Sequence, residues 1–277
     1  TVDKALEYLD AGAVKIVIGT AATPDFLKQL PKNRLVVALD ARHGEVVVEG
    51  WQTKTGRSVI ECIRELSPFC SGFLVTFVER EGRMKGIDAS AIEEIVQVLE
   101  PSQSLTIAGG ITTAEDLITL DNIGAEGQVG MAIYTNALNL GDAIVAPMRS
   151  DRPDGLYPTV VADVNGKTLG LCYSSDESIR TAVDRQRGVY YSRSRDQLWV
   201  KGETSGAIQH LMRIELDCDR DALKFIVAQQ GEGFCHREGF YACFGNGENR
   251  YSIESLMGTL ASRLKEAPQG SYTKRLF

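Results

Sequence analysis

The stretch LTIAGGITTAEDLITLDN, residues 105–122, reads as a strand, a glycine turn and a helix in succession. Residues 105–108 form an apolar run of buried-strand length, Gly109-Gly110 interrupts it, and residues 113–122 return to helical spacing. The same alternation extends in both directions. Residues 14–18, 35–39, 73–76 and 127–129 predict further short strands, and residues 4–9, 58–66 and 89–99 predict helices. A βα series of this kind favours a parallel sheet. Gly109-Gly110 and Gly130 fall just beyond strand ends, where backbone amides and a following helix N-terminus can cradle phosphate. Glycines at such turns serve equally as plain chain reversals.

Composition sets the outer limits. At 277 residues, with 43% apolar and 24% charged content, the chain is an ordinary globular one, long enough for two domains. A net charge of −7 argues against a sequence-independent nucleic-acid surface, which needs a basic face. No apolar run reaches about 18 residues and no secretory leader is visible, so no membrane association is expected. The chain opens on Thr1, which suggests that a segment precedes it. Six cysteines, at positions 62, 70, 172, 218, 235 and 243, lack the density of a disulfide scaffold. They fit a reducing compartment, cytoplasmic with an organelle as the alternative. Cys62, Cys70 and Cys172 lack ligand spacing and read as core residues.

The runs VVALDARHGEVVVEGWQTKTG (36–56), FLVTFVEREGRMKGID (73–88), and IAGGITTAEDL with VGMAIYT (107–117 and 129–135) resemble the latter part of the histidine-biosynthetic sugar isomerase, a TIM barrel. The resemblance implies a partial barrel over residues 1–148, matching roughly the fourth to eighth strands. That family isomerises its substrate with two aspartates. Asp40 matches the second, and the segment bearing the first has no counterpart in this chain. Thr76 and Gly109-Gly110 match substrate-binding positions, and Phe77 and Glu81 depart from the family motif. An aldose–ketose rearrangement needs an acid and a base across the substrate. The expectation is therefore a vestigial isomerase and phosphate site at Asp40, Thr76, Gly109, Gly110 and Gly130, without isomerase catalysis.

Polar turn formers at residues 148–155 interrupt the βα rhythm and mark a boundary near 148/149. Beyond it, residues 159–164 and 168–173 flank Asn165-Gly166, a type I′ hairpin signal. Residues 178–186 predict a helix, and residues 188–192 with 197–201 a second strand pair. This half is expected to be α+β and mainly antiparallel. Ser192-Arg193-Ser194-Arg195, read as extended, places both guanidiniums on one face for phosphate contacts. Trp199 and Lys201 lead into Gly202-Glu203-Thr204-Ser205-Gly206, an anion-receptive turn.

Asp217-Cys218-Asp219-Arg220-Asp221, then Cys235-His236 and Cys243, interleave hard and soft metal ligands. Carboxylates suit Mg²⁺ and thiolates suit Zn²⁺. In an extended stretch the three aspartates share one face and Cys218 takes the other.

Residues 190–206 (YYSRSRDQLWVKGETSG) and 216–236 (LDCDRDALKFIVAQQGEGFCH) resemble phosphoribosyl-AMP cyclohydrolase, over about residues 150–245. The resemblance implies Mg²⁺ on Asp217, Asp219 and Asp221. It further implies Zn²⁺ on Cys218, Cys235 and Cys243, in a site shared across a homodimer interface, with phosphoribosyl-AMP as substrate. Three thiolates leave one zinc position for a water, which attacks C6 of the purine and opens the N1–C6 bond. His236 is the candidate proton shuttle; Ser192 to Arg195, Trp199 and Lys201 to Ser205 are the candidate substrate contacts. The Cys235–Cys243 loop is one residue longer than in the family pattern and lacks its threonine. Ser174-Ser175 and DRPDGLY (151–157) resemble the cyclohydrolase part of the fungal multifunctional histidine enzymes. Residues 249–277 look like the opening of a phosphoribosyl-ATP pyrophosphohydrolase domain, with a helical stripe at Ile253, Leu256, Met257, Leu260 and Leu264. The expected domains are thus 1–148, 149–248 and 249–277. Two alternatives differ in class: a structural zinc-dimerisation module, and a phosphosugar-binding or isomerase activity of the first domain.

Overall fold

Thr1 caps α1 (Val2–Asp10) by accepting the Lys4 N–H, and from there strand and helix alternate as the apolar spacing predicts. The computed structural model describes residues 1–245 and 253–266. The chain divides into two units, Thr1–Pro147 and Met148–Phe277. In the first, β1 (Ile16–Ile18) is followed by α2 (Pro24–Leu27) and β2 (Leu35–Arg42), and a hairpin of β3 (Glu45–Val48) and β4 (Thr53–Ser58) comes next. Then come α3 (Val59–Leu66), β5 (Gly72–Phe77), α4 (Ala89–Val96), β6 (Ser104–Ala108), α5 (Ala114–Ile123), β7 (Glu126–Gln128), and the short α6 (Met131–Tyr134) and α7 (Leu140–Val145). β1, β2, β5, β6 and β7 lie side by side in that order, each parallel to the next.

Burial explains the arrangement. Along β2, Leu35, Val37, Leu39 and Ala41 are buried and the residues between them are partly exposed. The buried face packs with Phe73, Val75, Leu105 and Ile107 against Ile63, Ile92 and Leu120 of the helices. Each such side chain contributes about 1.5–3 kcal/mol on burial. Parallel sheets normally bury both faces; among the described residues this one has helices over one face. It is an open sheet of the partial-barrel kind. The hairpin of β3 and β4 was not predicted: β4 is exposed along nearly its whole length and carries no apolar alternation. The helix expected over 89–99 ends at Val96, and i→i+3 bonds from Val98 to Ile95 and from Leu99 to Val96 tighten its close.

The second unit contains β8 (Tyr157–Asp163), β9 (Thr168–Ser174), α8 (Asp176–Arg185), β10 (Val189–Ser192), β11 (Gln197–Val200), β12 (Gln209–Leu216), β13 (Leu223–Gln229) and α9 (Ile253–Glu266). Four strands form one sheet in the order β12, β13, β8, β9, and β10 pairs with β11. The unit is mainly antiparallel, as expected, with one exception: β13 runs parallel to β8. The β8–β9 connection is not a type I′ turn. Gly166 has φ +82° but Asn165 is not left-handed, and the Asp163 carbonyl accepts the Gly166 N–H at 3.0 Å. This is a type I turn closed by a left-handed glycine. The Asp163 carboxylate accepts the Asn165 and Lys167 amides, each at 2.9 Å, which favours that geometry.

Tyr190 and Phe225 anchor the core, both fully buried with ring centroids 5.5 Å apart. The Tyr190 hydroxyl donates to Gln209 Oε1 at 2.7 Å. In the tail, α9 forms where helical spacing predicts it, with Leu256, Met257 and Leu264 exposed. The Ile253 side chain, residues 246–252 and residues 267–277 lie outside what is described.

Candidate metal-binding and active site

Asp217–Asp221 is a bent connection between β12 and β13, not an extended strand. Asp217 N–H donates to the Ala222 carbonyl at 3.2 Å, and Ala222 N–H returns to Asp217 Oδ1 at 3.1 Å. Arg220 takes a left-handed φ of +67° and its guanidinium donates to the Asp217 carbonyl at 2.8 Å. The aspartates converge through this turn rather than through strand alternation. Carboxylate oxygens of Asp217, Asp219 and Asp221 lie within 4.8 Å of one another. A hydrogen bond shared with Asp217 holds the Asp221 carboxyl above its usual range; the charges of Asp219, Asp217 and Asp151 add to the effect. Exposed Cys218 stands in the same bend, its Sγ 3.8 Å from Asp219 Oδ1.

Cys235 and Cys243 come together elsewhere. The Cys243 N–H donates to the Leu169 carbonyl at 2.7 Å, which lays the residue against edge strand β9. Burial and a hydrogen bond with Cys235 push the Cys243 thiol up to about 11. Only β8 separates β9 from β13, but the bend leaves the sheet beyond Leu223, level with Cys172 and roughly 10 Å along the strands from Leu169 at ~3.3 Å per residue, and the three thiols form no group within metal-ligand reach among the described residues. Within one chain, therefore, Cys218 does not join Cys235 and Cys243.

Cys235 opens onto a cavity of about 380 Å³, lined also by Trp199, Lys201, Thr204, Ser205, His236 and Glu238 among others. Gly202 also lines it, at φ +86°, where a Cβ would strike the Ala207 backbone at 2.5 Å. His236 is exposed at its mouth. Lys201 is buried, and burial lowers its pKa against the opposing pull of the Cys172, Cys243 and Cys235 thiols. Its ammonium also sits over the Trp199 and Phe234 rings, 5.7 and 5.4 Å from their centroids. Lys201 thus faces sulfur and aromatic surface while lining the cavity. Cys172, with its thiol pushed up to about 12 by burial, was read only as core; alternation along β9 hides that it shares the neighbourhood of Cys243.

The expected strand of alternating serine and arginine is absent. β10 ends at Ser192, and Arg193, Ser194 and Arg195 occupy the turn to β11. Tight reversal into the β10–β11 pairing, where Ser192 faces Gln197, leaves no length for an extended run. Arg195 donates to Ser192 Oγ at 3.1 Å and lies 5.8 Å from the Trp199 ring. Arg193 lies over Tyr173. Neither arginine lines the cavity, and Glu203 is in the adjoining turn.

In the first unit, Asp40, Thr76, Ala108 and Gln128 form one lateral row at the C-terminal ends of the parallel strands. Gly109 and Gly110 follow with φ of +87° and +98°, and a Cβ on either would meet the Phe77 or Gly86 carbonyl at 2.6 or 2.4 Å. These glycines are required by close packing of the 77–86 loop. They and Gly130 line a space of about 50 Å³, whereas Asp40 opens into a separate one. The Thr112 and Thr113 amides that precede α5 are taken by Asp116, at 2.9 and 3.0 Å.

Comparison with known proteins assigns both halves. The family model for phosphoribosyl-AMP cyclohydrolase matches residues 170–245, and that for histidine biosynthesis protein matches residues 1–139. A histidine biosynthesis trifunctional protein of Saccharomyces bayanus is 44% identical over 191 residues, covering 69% of this chain and 23% of that protein. The protein of the same name from Neurospora crassa is 35% identical over 292 residues, covering 100% of this chain and 29% of its own length. An imidazole-4-carboxamide isomerase of Methanococcus maripaludis is 37% identical over 154 residues, 53% of this chain and 64% of that one. The chain therefore spans under a third of the fungal relatives. With a cyclohydrolase segment in its second half and a family match over residues 1–139, the chain belongs to the histidine biosynthesis protein family.

Proposed function

We propose that the second unit hydrolyses phosphoribosyl-AMP, opening the purine ring at the N1–C6 bond in histidine biosynthesis. The observation that carries this reading is the division of the ligand set. Asp217, Asp219, Asp221 and Cys218 occupy one flank of the sheet, and Cys235, Cys243, His236 and the cavity occupy the other. A homodimer that brings one protomer's β12–β13 bend to its partner's thiol pair unites them.

The residues suit the implied metals. Three converging carboxylates, one of them held partly toward its protonated form by the others, are an oxygen set for Mg²⁺. The adjoining Cys235 and Cys243 thiols, with Cys218 from the partner, are a sulfur set for Zn²⁺. Zinc in such a set lowers the pKa of a water and so supplies a nucleophile near neutral pH. His236, at the cavity mouth, takes the proton from water as its oxygen bonds to C6. The same proton is delivered to N1 as the N1–C6 bond breaks, and the hydroxyl proton left on the new C6 oxygen passes to solvent as the cationic N1-substituted ring becomes a neutral carboxamide. The C6 amino group stays on the new carboxamide, and N1 and C2 remain as the formimino link. Trp199 offers a face to the purine, and Arg193 and Arg195 offset substrate phosphate. The first unit is an accessory in this reading.

Turnover of phosphoribosyl-AMP by wild type and Cys235→Ser at matched zinc and magnesium tests it. Zinc-dependent ring opening in the wild type, lost in the variant, is expected. A folded, zinc-loaded wild type without turnover would instead mark a structural metal site.

A further inference from the structure

We propose that Tyr173 is a positioning residue, whose ring holds the Arg193 guanidinium ready for a phosphate of the substrate. This rests on the cyclohydrolase reading and extends it to a residue with no metal or polar contact of its own in that scheme. Tyr173 stands near the end of β9, where Pro158 pairs with it. One step along, Thr159 pairs with Leu223. The ring therefore lies at the end of the sheet from which the Asp217–Asp221 bend emerges.

Two guanidiniums crowd this ring. Arg193 Cζ is 3.8 Å from its centroid and Arg152 Cζ is 4.9 Å away. Their charges are not equivalent. Arg152 is neutralised by Asp154 through a two-pronged contact of 2.9 and 2.8 Å. Arg193 is exposed and makes no ion pair among the described residues. A stacked guanidinium keeps its N–H groups in the ring plane's periphery, free to donate, while the aromatic face removes its rotational freedom. One cation is spent on the fold and the other is held in place without being neutralised. That is the arrangement needed by an arginine in an exposed turn that must meet an anion.

The test is a double-mutant cycle on the metal-loaded protein, with phosphoribosyl-AMP affinity read by calorimetry alongside steady-state turnover. Tyr173→Leu should weaken binding about three- to thirtyfold, the range that losing a cation–π contact implies. KM should rise while kcat stays within about twofold. Tyr173→Phe, which keeps the ring face, should match the wild type. Tyr173→Leu combined with Arg193→Gln should bind no more weakly than Arg193→Gln alone. Additive losses, or a Tyr173→Phe variant as weak as Tyr173→Leu, would overturn the proposal. So would unchanged affinity in Tyr173→Leu beside an active wild type, which leaves the cyclohydrolase reading standing. A wild type that neither binds nor opens phosphoribosyl-AMP overturns both. A wild type that binds without turnover defeats only the hydrolysis, and the affinity cycle still decides Tyr173.

Discussion

Gly170 makes room for the ring that precedes the thiol-side cysteine. A Cβ there would lie 2.2 Å from the Phe234 ring, and Phe234 immediately precedes Cys235. Gly170→Ala must displace that buried ring, so urea denaturation should show a loss of about 1–3 kcal/mol, the usual cost of overpacking. Unchanged stability would mean that Phe234 repacks freely and that the position of Cys235 is not set from β9. Lys201 makes a related point about single residues. The sequence places it at the end of a strand, leading into a polar turn, but the fold buries it among three sulfurs, where an ammonium stabilises thiolates.

Among elements, one hydrogen bond ties β8 directly to the start of α8. The Tyr157 hydroxyl donates to Asp176 Oδ1 at 3.1 Å, at the first turn of a helix capped by Ser175 and Ser178. Burial foremost, and then the Asp176 charge, push the Tyr157 hydroxyl up from 10.0 to about 12. Above the unfolded value the unfolded chain loses a proton that the native one keeps, so stability falls as pH rises from about 10 to about 12. Thermal melting against pH should show this alkaline decline, and Tyr157→Phe should make it shallower. An equally steep decline in the variant would assign it to other groups. The β12–β13 bend shows the converse at the same scale. Its aspartates meet because Arg220 turns left-handed and Asp217 ties to Ala222, a geometry that simple strand alternation misses.

At the scale of the whole molecule, the division of ligands predicts complementation. Cys218→Ser and Cys235→Ser homodimers should each be inactive. When the two are mixed and allowed to exchange subunits, half the dimers are hybrids, each with one intact site and one doubly broken site. Zinc-dependent activity of about a quarter of the wild-type value should return. No recovery after verified exchange would place all three thiols on one protomer and refute the shared site.

Sequence alone determined the order and kind of most elements, because apolar spacing at periods of 2 and 3.6 is a local property. The five parallel strands of the first unit, α3, α5, the β8–β9 and β10–β11 pairs and α8 were all legible this way. The residue types able to ligate a metal were legible too, since donor chemistry belongs to the residue itself. The tertiary structure alone decided that β13 runs parallel to β8, and that Gly109 and Gly110 are filled by their own neighbouring loop. It also decided that Arg193 stacks on Tyr173, and that Cys218 lies across the sheet from Cys235 and Cys243. Each of these depends on which distant segments share a boundary. Such contacts leave no periodicity in the residues that make them, and they exist only once the chain has closed on itself.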